Sequence, residues 1–489
     1  MDKGILIRKY FEGYKFVESN IQSFNTFIER GMQEVVDENK EAEPTIIPDN
    51  IDRFVIKFSK IWVGKPEIIE ADGSKRNIMP IEARLRKISY SAPIFLEVSA
   101  HINDVQRESF TAQIGKMPIM LKSKYCHIMG KNKEELTTLG EDPYDPGGYF
   151  IINGTEKVII TVEDLAPNHF IVEKEAVDKY IGKIFAERGS YKIPHSLEKS
   201  KQGQHFLTFT RVKKAPIVLV LKALGLILDE DIMKDVATQQ QSEVLADLYE
   251  FVEVKTQEEA MDQLAKLVGI TQVREIRLER VREILNKYLL PHLGIENEQM
   301  LYKAHNICKM WKKYIDVSSG RGEPDDKDHY SNKKLKLSGD LLMDLFRVNF
   351  KVLVGDLLYN FQRIIKRGKL PSIRVIIREK LLTSRIYSSM ATGTWVGGRK
   401  GISQRMDRAN FTASMSHLQR IVSPLSASQE NFEARALHST HLGRLCPIET
   451  PEGTNIGLRK NLALLCSVSH ESNEQEVLAT LKKFGLEAI

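Results

Sequence analysis

Cysteine is scarce in this 489-residue sequence, which contains four cysteines and no Cys-x-x-Cys pair. Structural zinc sites usually take their thiolate ligands from such closely spaced pairs. We therefore expect the cysteines to be reduced and to serve packing, with no zinc site and no disulfide framework in this chain. They are Cys126, Cys308, Cys446 and Cys466.

The sequence also lacks a long apolar run. Its most apolar stretch, residues 217–228, is interrupted by Lys222 and is too short to cross a bilayer. The N-terminal residues contain no apolar segment of the kind found in signal peptides. We therefore expect a cytoplasmic protein that does not associate with a membrane.

Motifs of self-contained enzymes are missing as well. There is no nucleophile elbow, no His-Glu-x-x-His, no Walker loop and no Rossmann fingerprint. Two-metal polymerases need clustered aspartates, and Asp229-Glu230-Asp231 lacks the Asp-x-Asp-x-Asp spacing. The acids of segment 325–329 lie among lysines, which favours a salt-bridged surface linker over a metal site. The chain alone is therefore expected to have no catalytic residues and to bind no metal.

The patterns that are present indicate a mixed α+β protein of two to four domains. Strand-like alternation dominates residues 46–123, and Asn153-Gly154 between two apolar runs predicts a tight hairpin. Apolar residues at helical spacing predict a helix at about 271–290 and a long one that begins near Ser338 and ends before Gly368.

Charge is unevenly distributed along the chain. Residues 363–420 contain thirteen Lys or Arg and two acids, a net charge of +11, although the whole chain carries only +6. Residues 229–262 contain eleven acids and two lysines, a net charge of −9. A basic block of this kind is typical of a surface that binds a polyanion, but a solvated basic helix face is an equally good explanation of charge alone.

Two loops near the carboxyl end combine glycine with charge. Segment 393–401, Gly-Thr-Trp-Val-Gly-Gly-Arg-Lys-Gly, offers two cations and an aromatic ring on a backbone that can approach a phosphate closely. Segment 450–453, Thr-Pro-Glu-Gly, predicts a type I turn. Glu449 and Glu452 are expected to brace this turn by pairing with Arg444 or Arg459.

Residues 434–453, Ala-Arg-Ala-Leu-His-Ser-Thr-His-Leu-Gly-Arg-Leu-Cys-Pro-Ile-Glu-Thr-Pro-Glu-Gly, resemble the signature that precedes the active centre in the second-largest subunits of multisubunit DNA-dependent RNA polymerases. Five further segments match this family in the same order. They are residues 21–25, 82–86, 118–123, 147–154 and 403–418. The resemblance covers essentially the whole chain.

The resemblance implies the α+β multidomain fold of the N-terminal half of such a subunit. Its domains are called protrusion, lobe and fork. By similarity, residues 1–165 form the first part of the protrusion, residues 166–335 the lobe, residues 336–385 the returning part of the protrusion, and residues 386–489 the fork. The acidic block then belongs to the lobe, where we expect it to face solvent or a partner.

The resemblance also places the fork beside the RNA–DNA hybrid and the downstream DNA. Together with the basic block, it yields a set of residues predicted to bind nucleic acid. The set comprises Arg399, Lys400, Gln404, Arg405, Arg408, Arg420, Arg435, Glu452 and Asn455. The sequence departs from the family pattern at Gln419, where relatives usually have a second arginine beside Arg420.

The partners implied by the resemblance are the other polymerase subunits, the DNA template and the RNA–DNA hybrid. The largest subunit is expected to hold the catalytic Mg²⁺, and a B′-like C-terminal half is expected to carry Zn²⁺. The length resembles the split B″ subunit of some archaea, although a truncated fused subunit remains an alternative. A second hypothesis is a stand-alone nucleic-acid-binding protein that uses the basic stretch 363–420.

Overall fold

The computed structural model describes residues 4–5, 9, 16–48, 51–176, 179–189, 191–236, 241–368, 371–469 and 474–486. The strands are β1 Glu41–Ala42, β2 Phe54–Val63, β3 Glu67–Ile69, β4 Lys75–Asn77, β5 Ser91–Ile102, β6 Val105–Pro118, β7 Phe150–Ile152, β8 Thr155–Ile159, β9 Thr161–Leu165, β10 Ile171–Ala176, β11 Lys179–Arg188, β12 Tyr191–Lys199, β13 His205–Phe209, β14 Val212–Pro216, β15 Lys333–Lys336, β16 Ser403–Arg405, β17 Arg420–Val422 and β18 Arg459–Asn461. The helices are α1 Glu18–Thr26, α2 Met32–Asp37, α3 Pro80–Leu85, α4 Lys133–Thr138, α5 Ile217–Ala223, α6 Asp229–Val236, α7 Gln241–Glu250, α8 Gln257–Val268, α9 Arg274–Tyr288, α10 Met300–Ser318, α11 Ser338–Ile365, α12 Ile373–Ile376, α13 Glu379–Thr392, α14 Phe411–Leu418 and α15 Glu474–Lys483, with a π-helical turn at Phe27–Gly31 between α1 and α2. The predicted α+β class is confirmed.

The chain forms two compact units. Unit 1 comprises Met1–Asp164 and Leu335–Ile489, and unit 2 comprises Leu165–Lys334. These limits fall near residues 165 and 335, but the assignment of the segments to protrusion, lobe and fork stays a prediction. Helix α13 runs across the boundary expected after residue 385. None of the described helices is both long enough and apolar enough to cross a membrane.

The core of unit 1 forms where an antiparallel sheet meets the long helix. The sheet has the strand order β1-β2-β5-β6, and α11 packs its aromatic residues against it. Phe361 lies 4.5 Å from Phe54 and Phe350 lies 5.9 Å from Phe58, measured between ring centres. The predicted long helix is confirmed, and its apolar stripe serves the core.

The predicted hairpin is confirmed. Strands β7 and β8 pair antiparallel up to Ile152 and Thr155, which leaves Asn153 and Gly154 as a two-residue loop. Both loop residues have positive φ, 50° and 75°, as a type I′ turn requires. A β-carbon on Gly154 would also lie 2.6 Å from the α-carbon of Lys87, so this position requires glycine.

A small sheet in unit 1 positions the carboxyl-terminal motifs. Strand β17 pairs parallel with β9 and antiparallel with β18. Because side chains alternate along a strand, Ile421 and Lys460 point to one face, which is buried. On that face the Lys460 ammonium contacts Glu163 of β9 at 3.1 and 3.2 Å. Arg420 therefore points to the opposite face.

Unit 2 combines a five-stranded antiparallel sheet, β10 to β14, with helices α5 to α10. Several acids of its acidic block have cationic partners within the unit. Lys199 contacts Glu243, Lys222 contacts Asp229 and Lys266 contacts Asp262, at 2.9, 3.0 and 3.0 Å. Much of the acidic block is thus neutralised by cations of the same unit, which the count of charges along the sequence does not reveal.

We predict that unit 2 loses stability as the pH falls from about 6.5 to about 4. His195 accepts the backbone N–H of Leu290 at 3.1 Å through Nε2, so the neutral ring carries its proton on Nδ1. Burial lowers the pKa of His195 to about 4. Since the unfolded chain takes up the proton near pH 6.5, folding stability should fall by about 3 kcal/mol through this window.

Native-state hydrogen exchange of β12, corrected for intrinsic rates, measures this loss. A His195→Gln variant should show a weaker pH dependence, whereas the same change at exposed His169 should leave it intact. An unchanged pH dependence in His195→Gln would contradict the assignment.

Candidate nucleic-acid interface

Arg408, one of the predicted nucleic-acid ligands, is engaged by carboxylates of its own unit. It donates to both carboxylate oxygens of Glu156 at 2.7 and 3.0 Å and to Asp145 at 2.9 Å. Its guanidinium also lies over the Tyr149 ring, 5.0 Å from the ring centre. These contacts make Arg408 a bracing residue, because its positive charge is compensated by the carboxylates of Glu156 and Asp145.

Arg84 completes the same group, which we call the Tyr149 cluster: Arg84, Glu141, Asp145, Tyr149, Glu156 and Arg408. Arg84 donates to Glu141 at 2.8 Å, to Glu156 at 3.0 Å and to the Tyr149 hydroxyl at 2.7 Å. Burial opposes ionisation of Glu156, but Arg408 and Arg84 outweigh it and lower the pKa of this carboxyl. The cluster joins three of the segments that carry the family resemblance, 82–86, 147–154 and 403–418.

Arg435 and Arg399 are also committed within the chain. The Arg435 guanidinium donates to four backbone carbonyls, which fastens the loop at 426–431 to the turn after Pro451. The carbonyls belong to Ala427, Gln429, Thr454 and Ile456, at 2.9, 3.2, 2.6 and 3.0 Å. Arg399 contacts Asp164 at 3.0 Å. Both arginines therefore stabilise the loops that carry them.

Lys400 and Arg405 have no carboxylate within ion-pair distance among the described residues. Lys400 is exposed beside Gly397 and Gly398, whose φ angles of 75° and 73° place them in the left-handed region with open space around them. Arg405 lies directly opposite Lys157 in the β16–β8 pair. Burial and then Arg405 lower the pKa of Lys157. Two like charges thus face each other across these strands.

Arg420 is a partly buried cation on β17. No carboxylate of the described chain lies within ion-pair distance of it. Burial, followed by the charge of Arg459 on β18, lowers the pKa of Arg420. A half-desolvated guanidinium without a counterion costs free energy, which an approaching anion would offset.

Gln404 is held by a neutral histidine, His417. The backbone N–H of Asp407 donates to Nδ1 of His417 at 3.1 Å, so the neutral ring carries its proton on Nε2. This nitrogen lies 3.2 Å from Oε1 of Gln404, to which it donates. Burial, followed by the charge of Arg420, lowers the pKa of His417 to about 4. The ring therefore positions Gln404 without adding charge at neutral pH.

Glu452 directly precedes the short 3₁₀ turn Gly453–Asn455, and Asn455 is the last residue of this turn. Glu452 is exposed and Asn455 is partly buried. The pairing expected for Glu449 is wrong, because this carboxylate accepts a hydrogen bond from the Ser416 hydroxyl instead. The turn is braced by Thr450, whose hydroxyl donates to the Arg459 carbonyl and accepts from the Gly457 N–H, both at 2.9 Å.

Trp395 belongs to the core and not to the loop surface. It is 5% exposed, and its indole N–H donates to the Leu341 carbonyl at 2.7 Å. The ring is therefore not free to stack on a base. Its place in the glycine-rich segment 393–401 had suggested a ring at the loop surface.

Two protein-family models match the chain. The model described as RNA polymerase beta subunit covers residues 15–384, and the model for domain 3 of RNA polymerase Rpb2 covers residues 404–468. The chain belongs to the RNA polymerase beta subunit family. The predicted family and the predicted role as a polymerase subunit are confirmed.

Archaeal relatives of two lengths are similar to this beta-family chain. DNA-directed RNA polymerase subunit Rpo2N of Methanocaldococcus jannaschii is 43% identical, and the match covers 98% of each chain. Rpo2N of Halobacterium salinarum is 40% identical over 100% of this chain and 96% of its own. Subunit Rpo2 of Saccharolobus solfataricus is 41% identical over 98% of this chain, which spans 43% of that relative. The chain thus corresponds to the separate Rpo2N subunit and to part of a longer one.

The structure divides the predicted set of ligands. Arg399, Arg408 and Arg435 have partners within the chain, whereas Lys400, Arg405 and Arg420 are cations without a contacting carboxylate in the described residues. Contact of any of these residues with nucleic acid remains a prediction.

We predict that Arg408→Ala lowers the free energy of unfolding by about 2 kcal/mol, because it leaves Asp145 partly buried without its counterion and Glu156 with Arg84 alone. Lys400→Ala, which removes an exposed charge in the same region, should change it by less than about 0.5 kcal/mol. Urea unfolding of the full chain measures both values. Equal effects of the two changes would argue against the bracing role of Arg408.

Proposed function

We propose that this chain holds the backbone of the nucleic acid near the RNA–DNA hybrid of the polymerase, through Lys400, Arg405 and Arg420, with Gln404 as a neutral ligand. The observation that carries the proposal is the arrangement of cations at β16 and β17. Arg405 faces Lys157, and Arg420 lies near Arg459, with no contacting carboxylate among the described residues. The chain acts without catalytic residues of its own.

A polyanion is the ligand that such an arrangement favours. Like charges directly opposite each other on neighbouring strands destabilise a sheet. Bound phosphates would neutralise them and release counterions into solution, which makes binding favourable and dependent on salt. Arg399, Arg408 and Arg435 contribute indirectly, since they hold the loops in place.

Glu452 and Asn455 offer hydrogen bonds and no positive charge. Their turn is held by Thr450 and Arg435. We propose that Asn455 and Glu452 contact sugar hydroxyls of the transcript, because a 2′-hydroxyl both donates and accepts and is absent from DNA. This role would distinguish RNA from the DNA template.

The remaining chemistry of RNA synthesis is assigned to partners. No group of three or more His, Cys, Asp or Glu in the described part of the chain is arranged to hold a metal ion. We propose that the largest subunit holds the catalytic Mg²⁺, that a B′-like subunit carries Zn²⁺, and that the chain works in the cytoplasm. The relatives are named as polymerase subunits, which favours an assembled role over a stand-alone binder.

We predict that Arg405→Ala and Arg420→Ala each weaken binding of the full chain to a fluorescent RNA–DNA hybrid. Each change should reduce the slope of log affinity against log salt by about 0.7–0.9, the value for one lost phosphate contact. Lys234→Ala is the control, because Lys234 pairs with Glu230 on an exposed helix of unit 2. Fluorescence anisotropy across a salt series measures the slopes.

Equal slopes for all three variants would contradict the site. Co-purification from cells then tests the assembled role: the tagged chain should bring down other polymerase subunits in fixed proportion. A monomeric chain that binds the hybrid as tightly as the assembled polymerase does would favour the stand-alone alternative.

A further inference from the structure

Arg459 lies next to the proposed interface but is not among the predicted ligands. It begins β18 and is partly buried. Its backbone carbonyl accepts from Thr450, while no carboxylate of the described chain lies within ion-pair distance of its guanidinium. A second partly buried arginine is thus present without a counterion.

Strand register places Arg459 on the same face as Arg420. In the antiparallel pair, Arg420 lies opposite Asn461 and Val422 lies opposite Arg459. Arg420 and Arg459 are therefore diagonal neighbours, at a typical separation of about 7–8 Å between such positions. This spacing lets two long side chains converge on one small anion.

The nearest acids do not neutralise the pair. Glu449 accepts from the Ser416 hydroxyl, and Asp407 accepts from the Ala409 N–H. Both influence Arg420 only from beyond contact distance, and the charge of Arg459 acts on it more strongly. The pair keeps a net positive charge in a partly desolvated place.

Gln419 cannot supply a second ligand to this face. It is 7% exposed, and its backbone carbonyl accepts from Leu462 at 3.2 Å, which fixes it within the sheet. Arg459 reaches the face from the neighbouring strand instead. The cation that the sequence lacks at position 419 is therefore available from position 459.

We propose that Arg420 and Arg459 together bind a single phosphate of the nucleic-acid strand, with Arg459 as a phosphate ligand. The inference rests on the proposed function. Two guanidinium groups match the two free oxygens of a phosphodiester, because each presents paired N–H donors in a plane. A carboxylate of a partner protein is the competing anion.

Methionine variants of the full chain test the pair. Arg459→Met should weaken binding to a short RNA–DNA hybrid about tenfold at low salt and reduce the salt slope by about 0.7–0.9. The double variant Arg420→Met/Arg459→Met should lose little more than either single one, because both changes remove the same contact. Arg107→Met, at an exposed position of β6, is the matched control and should bind as the unchanged chain does.

Stability separates a ligand from a structural arginine. Since each change relieves repulsion, the thermal midpoint of Arg459→Met should stay equal or rise, whereas a structural arginine would lower it. Normal hybrid binding by Arg459→Met, with weakened binding by Arg420→Met, would overturn the inference and leave the proposed function standing. Normal binding by both, with loss of co-purifying subunits, would assign the pair to a protein partner. Failure of the unchanged chain to bind the hybrid would overturn both proposals.

Discussion

The carboxylates of unit 1 are distributed so that some arginines are neutralised and others are not. Asp145 and Glu156 compensate Arg408, and Glu163 compensates Lys460 in a buried pair. Arg405 and Arg420 instead have cations as neighbours. The first kind of contact holds the loops against the sheets, and the second leaves positive charge at a defined place. In the small sheet both kinds of site follow from strand register, since one face of β17 and β18 carries Lys460 of the buried pair and the other carries Arg420 and Arg459.

The same arrangement explains why the net charge of the whole chain does not indicate where a polyanion would bind. A net charge of +6 on 489 residues is modest, and several acids of unit 2 pair with lysines of the same unit. What matters for a polyanion is whether a cation has a counterion within reach, not how many cations a segment contains. In unit 1, some cations of the basic block 363–420 have a counterion within reach and others do not.

Local features could be predicted from the sequence because their causes are local. The two positive φ angles at Asn153 and Gly154 follow from residue type, and the helix Ser338–Ile365 follows from the spacing of its apolar residues. The roles of Arg408 and Arg420 could not be separated in this way, because the acids that engage Arg408 lie about 250 residues earlier in the chain. Arg459 was expected only to brace a turn, and its position beside Arg420 depends on β-pairing that a linear pattern does not reveal.

A crosslinking experiment tests the central claim most directly, namely that the uncompensated cations of unit 1 face nucleic acid. Lys400 can be replaced by the photoreactive residue p-benzoylphenylalanine, because its side chain is exposed and contacts no carboxylate of the described chain. In a polymerase stalled on a template with a labelled transcript, illumination should join the chain to RNA or DNA. Crosslinks that form only to protein would contradict the account.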